Sequence, residues 1–237
     1  MEPDLDRFTS RRSTVYASEG IVATSQPLAA EAGRELLRDG GNAFDAAVAT
    51  AAALNVVEPT STGLGGDVFA CYRTADGEVG AMRACGGAPS DATRERVREA
   101  VAAGDRGASM PERGPHTVTV PGTARGWEAT VRRLGRRSLA DALGPAIRYA
   151  TEGYPVTETV AAQWRHAEDL FTDDHERGAY LFDGLSPSVG QTVRLPDLGG
   201  TLERIAEVGA DAVYEGSVGE AIATEVQAAG GFLAVDD

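Results

Sequence analysis

Few residues in this 237-residue sequence have types and spacings suited to chemistry. The only cysteines are Cys71 and Cys85, and the only histidines are His116, His166 and His175. Two cysteines with a 13-residue gap form no zinc pattern, and the histidines are too scattered to complete one. Both cysteines read as reduced, half-buried thiols, because a disulfide needs an oxidising compartment. No metal or other cofactor is expected. Gly63, Gly65 and Gly66 resemble a phosphate-binding loop only in composition. No Lys-Ser/Thr follows them, and they lead into a strand instead of opening a helix. They read instead as a tight backbone path beneath crowded helices. A serine hydrolase would need a GxSxG elbow, which is absent. His116 beside Thr117 pairs a base with a hydroxyl, but reads as a strand with one polar edge.

The elements that would position such residues are clearer. Ile21–Thr24 is a short β-like run, and Pro27 opens a helix through Arg38 that Gly40 and Gly41 stop. Asn42 caps a second helix, Ala43–Val57, made almost wholly of Ala, Val and Leu. A helix apolar on every side is a buried one. Asp67–Arg73 and Glu78–Arg83 flank an Asp-Gly turn and predict a β-hairpin. Further helices are expected over Thr93–Ala103, Ala124–Leu134, Leu139–Glu152 (capped by Ser138), Thr157–Phe171, Thr201–Val208 and Gly219–Ala229. His116–Val120 is expected to be a strand, 104–116 a flexible polar loop, and Asp173–Ser188 irregular. The pattern is mixed α/β with helices around a small sheet, read as one domain over residues 1–237.

Composition excludes several functions. Hydrophobic residues make up 42% of the chain, which supports a packed core. No apolar run reaches the length of a membrane span. Met1–Gly20 lacks a continuous apolar core, so a secretory signal is not expected and the location is read as cytoplasmic. The formal net charge is −14, from 36 acidic and 22 basic residues, and every basic residue is Arg. So acidic a surface repels phosphate backbones, which argues against nucleic-acid binding. The charge fits either an acidic protein from an Arg-biased genome or a halophilic one, in which salt screens the self-repulsion.

Five stretches, in order, resemble γ-glutamyltranspeptidases. They are residues 23–59 (ATSQPLAAEAGRELLRDGGNAFDAAVATAAALNVVEP), 61–72 (STGLGGDVFACY), 118–127 (VTVPGTARGW), 139–156 (LADALGPAIRYATEGYPV) and 209–237. The GGNAxDAAVA block followed by EPxxxGxGG carries most of the likeness. The resemblance implies the αββα sandwich of N-terminal-nucleophile hydrolases, present here only in part, as the N-terminal portion of a large subunit. It implies a γ-glutamyltransferase or glutathione hydrolase that moves a γ-glutamyl or related acyl group to water or an amine. Its nucleophile would be a threonine freed by self-cleavage, with the threonine's own amine as base. A hydroxyl attacks poorly until a nearby base takes its proton.

The sequence departs from that family in two ways. The threonine and its small subunit lie beyond Asp237, so no catalytic residue is carried over and these residues alone are expected to be inactive. The implied partners are a γ-glutamyl donor and the missing small subunit. In addition, family members carry an RExAP-type segment whose Arg grips the donor's α-carboxylate. Here the segment is Arg83-Ala84-Cys85-Gly86-Gly87-Ala88-Pro89, with Cys85 at the Arg position. Cysteine cannot form a charged, bidentate clamp. Arg83, two residues earlier on the same strand face, is the candidate substitute. The substrate-binding candidates are thus Arg83 and Cys85. The alternative is a non-catalytic remnant or scaffold that binds a separately encoded small subunit.

Overall fold

A computed structural model describes residues 13–102 and 109–237. Ten helices are distributed along the described residues: α1 Pro27–Arg38, α2 Ala43–Val57, α3 Arg94–Ala102, α4 Thr123–Leu134, α5 Leu139–Glu152, α6 Glu158–Ala167, α7 Asp174–Tyr180, α8 Pro196–Val208, α9 Asp211–Tyr214 and α10 Ser217–Ala228. Two antiparallel strand pairs accompany them. β1 Val68–Arg73 pairs with β2 Val79–Ala84, and β3 Tyr154–Pro155 pairs with β4 Thr192–Val193.

The buried centre is α2. Its first turn is closed by a reciprocal capping box between Asn42 and Asp45. Its alanines let α1, α4 and α5 pack on it from different sides, and α8 packs on α5. Gly33 of α1 lies so close to Ala46 and Thr50 of α2 that a Cβ there would clash. The larger core side chains are Trp127, Leu143, Tyr154, Trp164, Leu202 and Ile205. Two of them satisfy their polar ends inside: the Tyr154 hydroxyl donates to the Val56 carbonyl at 2.9 Å, and Trp164 Nε1 donates to the Tyr180 carbonyl at 2.9 Å. Burial pushes the Tyr154 phenol far above its usual range.

The β1–β2 hairpin forms on the expected turn, Gly77 taking the positive φ of 96° that the reversal requires. Its residues alternate strictly in exposure. One face, including Val68, Tyr72, Met82 and Ala84, lies against α4 and α2. The other, with Phe69, Cys71, Arg73, Val79 and Arg83, is bare. Phe69 is 66% and Val79 74% exposed. The described residues thus supply one helical layer and one strand layer, with no second sheet across the bare face.

Several expectations need correction. His116–Val120 is not a strand: Pro115–Thr117 is a 3-10 turn entered through Gly114 at φ 108°. Only Val120 joins the hairpin's exit, exchanging bonds with Gly86 and Gly87 at 3.1 Å. Ile21–Thr24 forms no strand and pairs with none among the described residues. Residues expected to be irregular contain α7, started by Asp173, whose carboxylate accepts the Glu176 N–H at 2.8 Å. α8 starts at Pro196 instead of Thr201. The β3–β4 pair was not expected. A Cβ on Gly63 or Gly65 would meet nothing, so those two are not under crowded helices. Cys71 is exposed, not half-buried; Cys85 is half-buried, and both are free. The hairpin's outer face is bare, and α2 is buried except where Ala43 and Ala47 are exposed. Residues 104–108 of the expected flexible loop, Ala103 at the end of the expected helix before it, and Met1–Arg12 of the expected leaderless start lie outside the described residues.

Candidate functional site

Arg83 and Cys85 stand where β2 ends and the chain crosses the start of α4. Two glycines allow that crossing. A Cβ on Gly122 would strike the Ala84 carbonyl and lie 2.7 Å from Cys85 Cα, and one on Gly126 would lie 2.7 Å from Ala84 Cβ. The backbone is stitched there as well. Gly122 and Thr123 both donate their N–H to the Gly66 carbonyl at 3.0 Å, tying the glycine loop to the N-terminus of α4. Gly122 and Gly126 therefore serve close backbone approach around the end of β2, and the Gly66 carbonyl anchors the start of α4.

Along the hairpin, α4 and β2 border an open cleft of about 840 Å³. Arg83 and Cys85 both line it. So do Arg73, Arg125 and Arg133, together with an apolar wall from α2 and α4. No aspartate or glutamate is among the lining residues. In a chain of formal charge −14, that is a marked local segregation of charge.

The four arginines differ in commitment. Arg125 bonds Asp211 at 2.6 Å and Glu128 at 3.0 Å, and stacks over the Tyr214 ring at 4.9 Å. The Asp211 carboxylate, opposed by partial burial, raises the Arg125 pKa further. Tyr214 is buried enough to push its phenol above the usual range, and it donates to the Pro121 carbonyl at 2.7 Å. Arg73, Arg83 and Arg133 have no ion-pair partner among the described residues. Arg73, Arg125, Arg133 and Tyr214 were not singled out in the sequence. The signals were Arg125's place in the VTVPGTARGW stretch and Tyr214's in the stretch 209–237.

A second cleft, of about 520 Å³, adjoins the first through Ala51, Val68 and Trp127 and reaches the loop from Thr60 to Asp67. Asn55 Nδ2, Thr60 Oγ1 and Trp127 Nε1 are buried in its wall without a protein partner among the described residues. Among the described residues, no three His, Cys, Asp or Glu side chains gather as a metal site. None of the described helices is long and apolar enough to cross a membrane.

Comparison with known proteins gives a consistent result. A family model described as gamma-glutamyltranspeptidase matches residues 29–237. The chain is 37% identical, over 229 residues, to the glutathione hydrolase-like YwrD proenzyme of Bacillus subtilis, covering 94% of this chain and 42% of that protein. Among solved structures, it resembles Helicobacter pylori gamma-glutamyltranspeptidase with a TM-score of 0.87 and 32% identity, covering 95% of this chain and 64% of that one. It resembles a cephalosporin acylase from Bacillus halodurans with a TM-score of 0.86 and 40% identity, covering 99% of this chain and 44% of that one. The chain thus spans about two fifths of the length of the curated relatives it matches. The helices and hairpin are part of the fold of these hydrolases.

Proposed function

The chain belongs to the gamma-glutamyltranspeptidase family, and from that premise we propose that these residues form the donor-binding portion of an acyl-transferring enzyme. The acyl group is γ-glutamyl or a related acid, and it passes to water or an amine. The threonine nucleophile and the remainder of the sheet come from a small-subunit portion outside these 237 residues. The single observation that carries this reading is the arginine-lined, acid-free cleft at the end of β2. A guanidinium fork matches a carboxylate in charge and shape. Low-dielectric cleft walls concentrate such a field even on an acidic protein.

The test is equilibrium binding of a γ-glutamyl anilide to the purified chain in KCl, set against the same anilide with its α-carboxylate blocked as an amide. The free acid is expected to bind more tightly, and the chain alone is expected to release no aniline. Equal affinity for the two compounds would remove the donor-binding role. Aniline release above a denatured control would remove the claim that the nucleophile lies elsewhere.

A second reading is a non-catalytic scaffold that docks a separately made small subunit. Cys85 favours it, since the clamp position carries no charge, and so does the bare hairpin face. In that case neither anilide binds, while a small-subunit partner does.

A further inference from the structure

The two ends of the central helix α2 carry surface of opposite sign. At its first turn, the Asp45 carboxylate accepts the backbone N–H groups of Arg136 and Arg137, and Asn42 Nδ2 donates to the Leu134 carbonyl at 2.6 Å. The turn between α4 and α5 is thereby fixed, and residues 132–137 include four arginines. Arg132, Arg133 and Arg136 are exposed and have no ion-pair partner among the described residues. Arg137 lies against Gly41 of the α1–α2 turn and pairs with Asp141 at 3.5 Å. Asp45 and Asp141 are committed to these neighbours, and Asp39 on the α1–α2 turn is the remaining acid of residues 38–45 and 132–141.

At the last turn of α2, the Tyr154 hydroxyl donates to the Val56 carbonyl, and Tyr180 is near enough to help push the Tyr154 phenol up. Tyr180 stacks on Phe171 with ring centroids 5.3 Å apart. The chain running into and out of that stack is acidic. Asp169, Asp173, Asp174 and Glu176 are exposed, Glu168 is half-buried, and none has an ion-pair partner among the described residues. Arg165 and Arg177 flank the segment, and Arg177 donates to the Phe171 carbonyl at 3.2 Å. Leu170 stands exposed among the carboxylates. From Asp45 to Val56 is about 16 Å of helix. That is twice the screening length of about 8 Å at physiological salt, so the two ends do not neutralise each other within one chain.

We propose that two copies of this chain associate head to tail, the arginine turn 132–137 of one seated on the acidic segment 168–176 of the next. Guanidinium forks match carboxylates in charge and shape, and the exposed Leu170 gives the arginine stems apolar surface to lie on. One exposed ion pair adds little, but several forks on one fixed turn meet several carboxylates together. The two surfaces differ, so the contact is heterologous, and every open assembly keeps one unused arginine turn and one unused acidic segment. The proposal does not rest on the donor-binding reading.

Sedimentation velocity on the full chain tests it, at the lowest KCl concentration that keeps the far-ultraviolet spectrum folded. The average mass is expected to rise with protein concentration past that of a dimer, and to fall as KCl is raised. Arg132→Glu with Arg136→Glu spares every residue that lines the cleft. Asp169→Arg with Asp174→Arg spares the Asp173 cap of α7. Each pair of reversals should weaken association by about tenfold or more, the effect of losing one charged contact. Mixed together, the two variants should form a one-to-one dimer and nothing larger, because each keeps one working surface. All four reversals in one chain should restore association, which also shows that the altered surfaces still fold. A wild-type mass independent of concentration, association untouched by either pair of reversals, or variants that stay monomeric when mixed would each overturn the proposal.

Discussion

The Asp45 carboxylate on the first turn of α2 accepts the backbone N–H of Arg136, at 3.0 Å, from the turn between α4 and α5. It also accepts the N–H of Arg137 at 3.2 Å and of Asn42 at 2.7 Å, and the residue is fully buried. Gly135 completes the fit, since a Cβ there would collide with Asp45 Oδ1. This bracket fixes the distal end of α4, where Arg133 sits, against the central helix.

Removing the bracket should be costly. Asp45→Ala leaves three backbone donors without their acceptor in the interior. Hydrogen bonds to charged groups contribute about 1.5–3 kcal/mol, so a loss of about 3 kcal/mol is expected. Urea denaturation at fixed KCl measures it. A change below about 0.5 kcal/mol, the level of an ordinary surface substitution, would show that the bracket does not stabilise the fold.

At the other end of α4, the clamp is tested in an enzyme completed with its small-subunit half. If Arg83 holds the donor's carboxylate, Arg83→Ala should raise the Michaelis constant about 10- to 150-fold, the span of one charged hydrogen bond. Cys85→Arg should lower it by restoring the family's residue at that position. Donor kinetics unmoved by both changes would make the segment structural.

Salt dependence follows from charge. With 36 acidic residues against 22 arginines and no lysine, self-repulsion is screened only at high ionic strength. Cooperative thermal unfolding is expected in molar KCl, with structure lost on dialysis into dilute buffer. An unchanged far-ultraviolet spectrum after dialysis would reject the halophilic reading.

Acid sensitivity has a local source at the start of α5. The Ser138 hydroxyl and N–H both donate to the Asp141 carboxylate, at 2.8 and 3.0 Å, and hold its pKa below the usual carboxylate value. A depressed folded-state pKa stabilises the protein above the unfolded value, near 4, and that contribution is lost as pH falls through the folded value. Ser138→Ala should cost about 1 kcal/mol at neutral pH through loss of the cap. It should also flatten the fall in Tm between about pH 5 and 3. Parallel pH profiles for the two proteins would refute the linkage.

The most legible parts of the fold were those whose signal is local. The Ala-rich α2 announced its burial, the Asp-Gly turn announced the hairpin, and Asn42 and Ser138 announced their helices. The errors occurred where a distant neighbour decides. The helix expected from Thr201 begins at Pro196, so Gly199 and Gly200 lie inside α8; a Cβ on Gly199 would sit 2.7 Å from the Thr151 methyl of α5, so glycine is there for contact. The β-branched run after His116 looked like a strand, but Pro115 and Gly114 divert it into a turn. In the site, Arg83 and Cys85 were found by their place before Pro89. Arg73 and Arg133 were not, because only the packing of α4 beside the hairpin gathers these elements around one cleft.

The bare face of the hairpin also carries its own reporter. Cys71 lies on it, exposed, while Cys85 is half-buried where β2 ends, and both line the cleft. Two thiols of unequal access, in a protein with no others, make a natural footprinting pair. Whatever settles on the sheet should slow alkylation of Cys71, and whatever settles where β2 meets α4 should slow that of Cys85, so one mass spectrum reports on the middle of the hairpin and on its end separately.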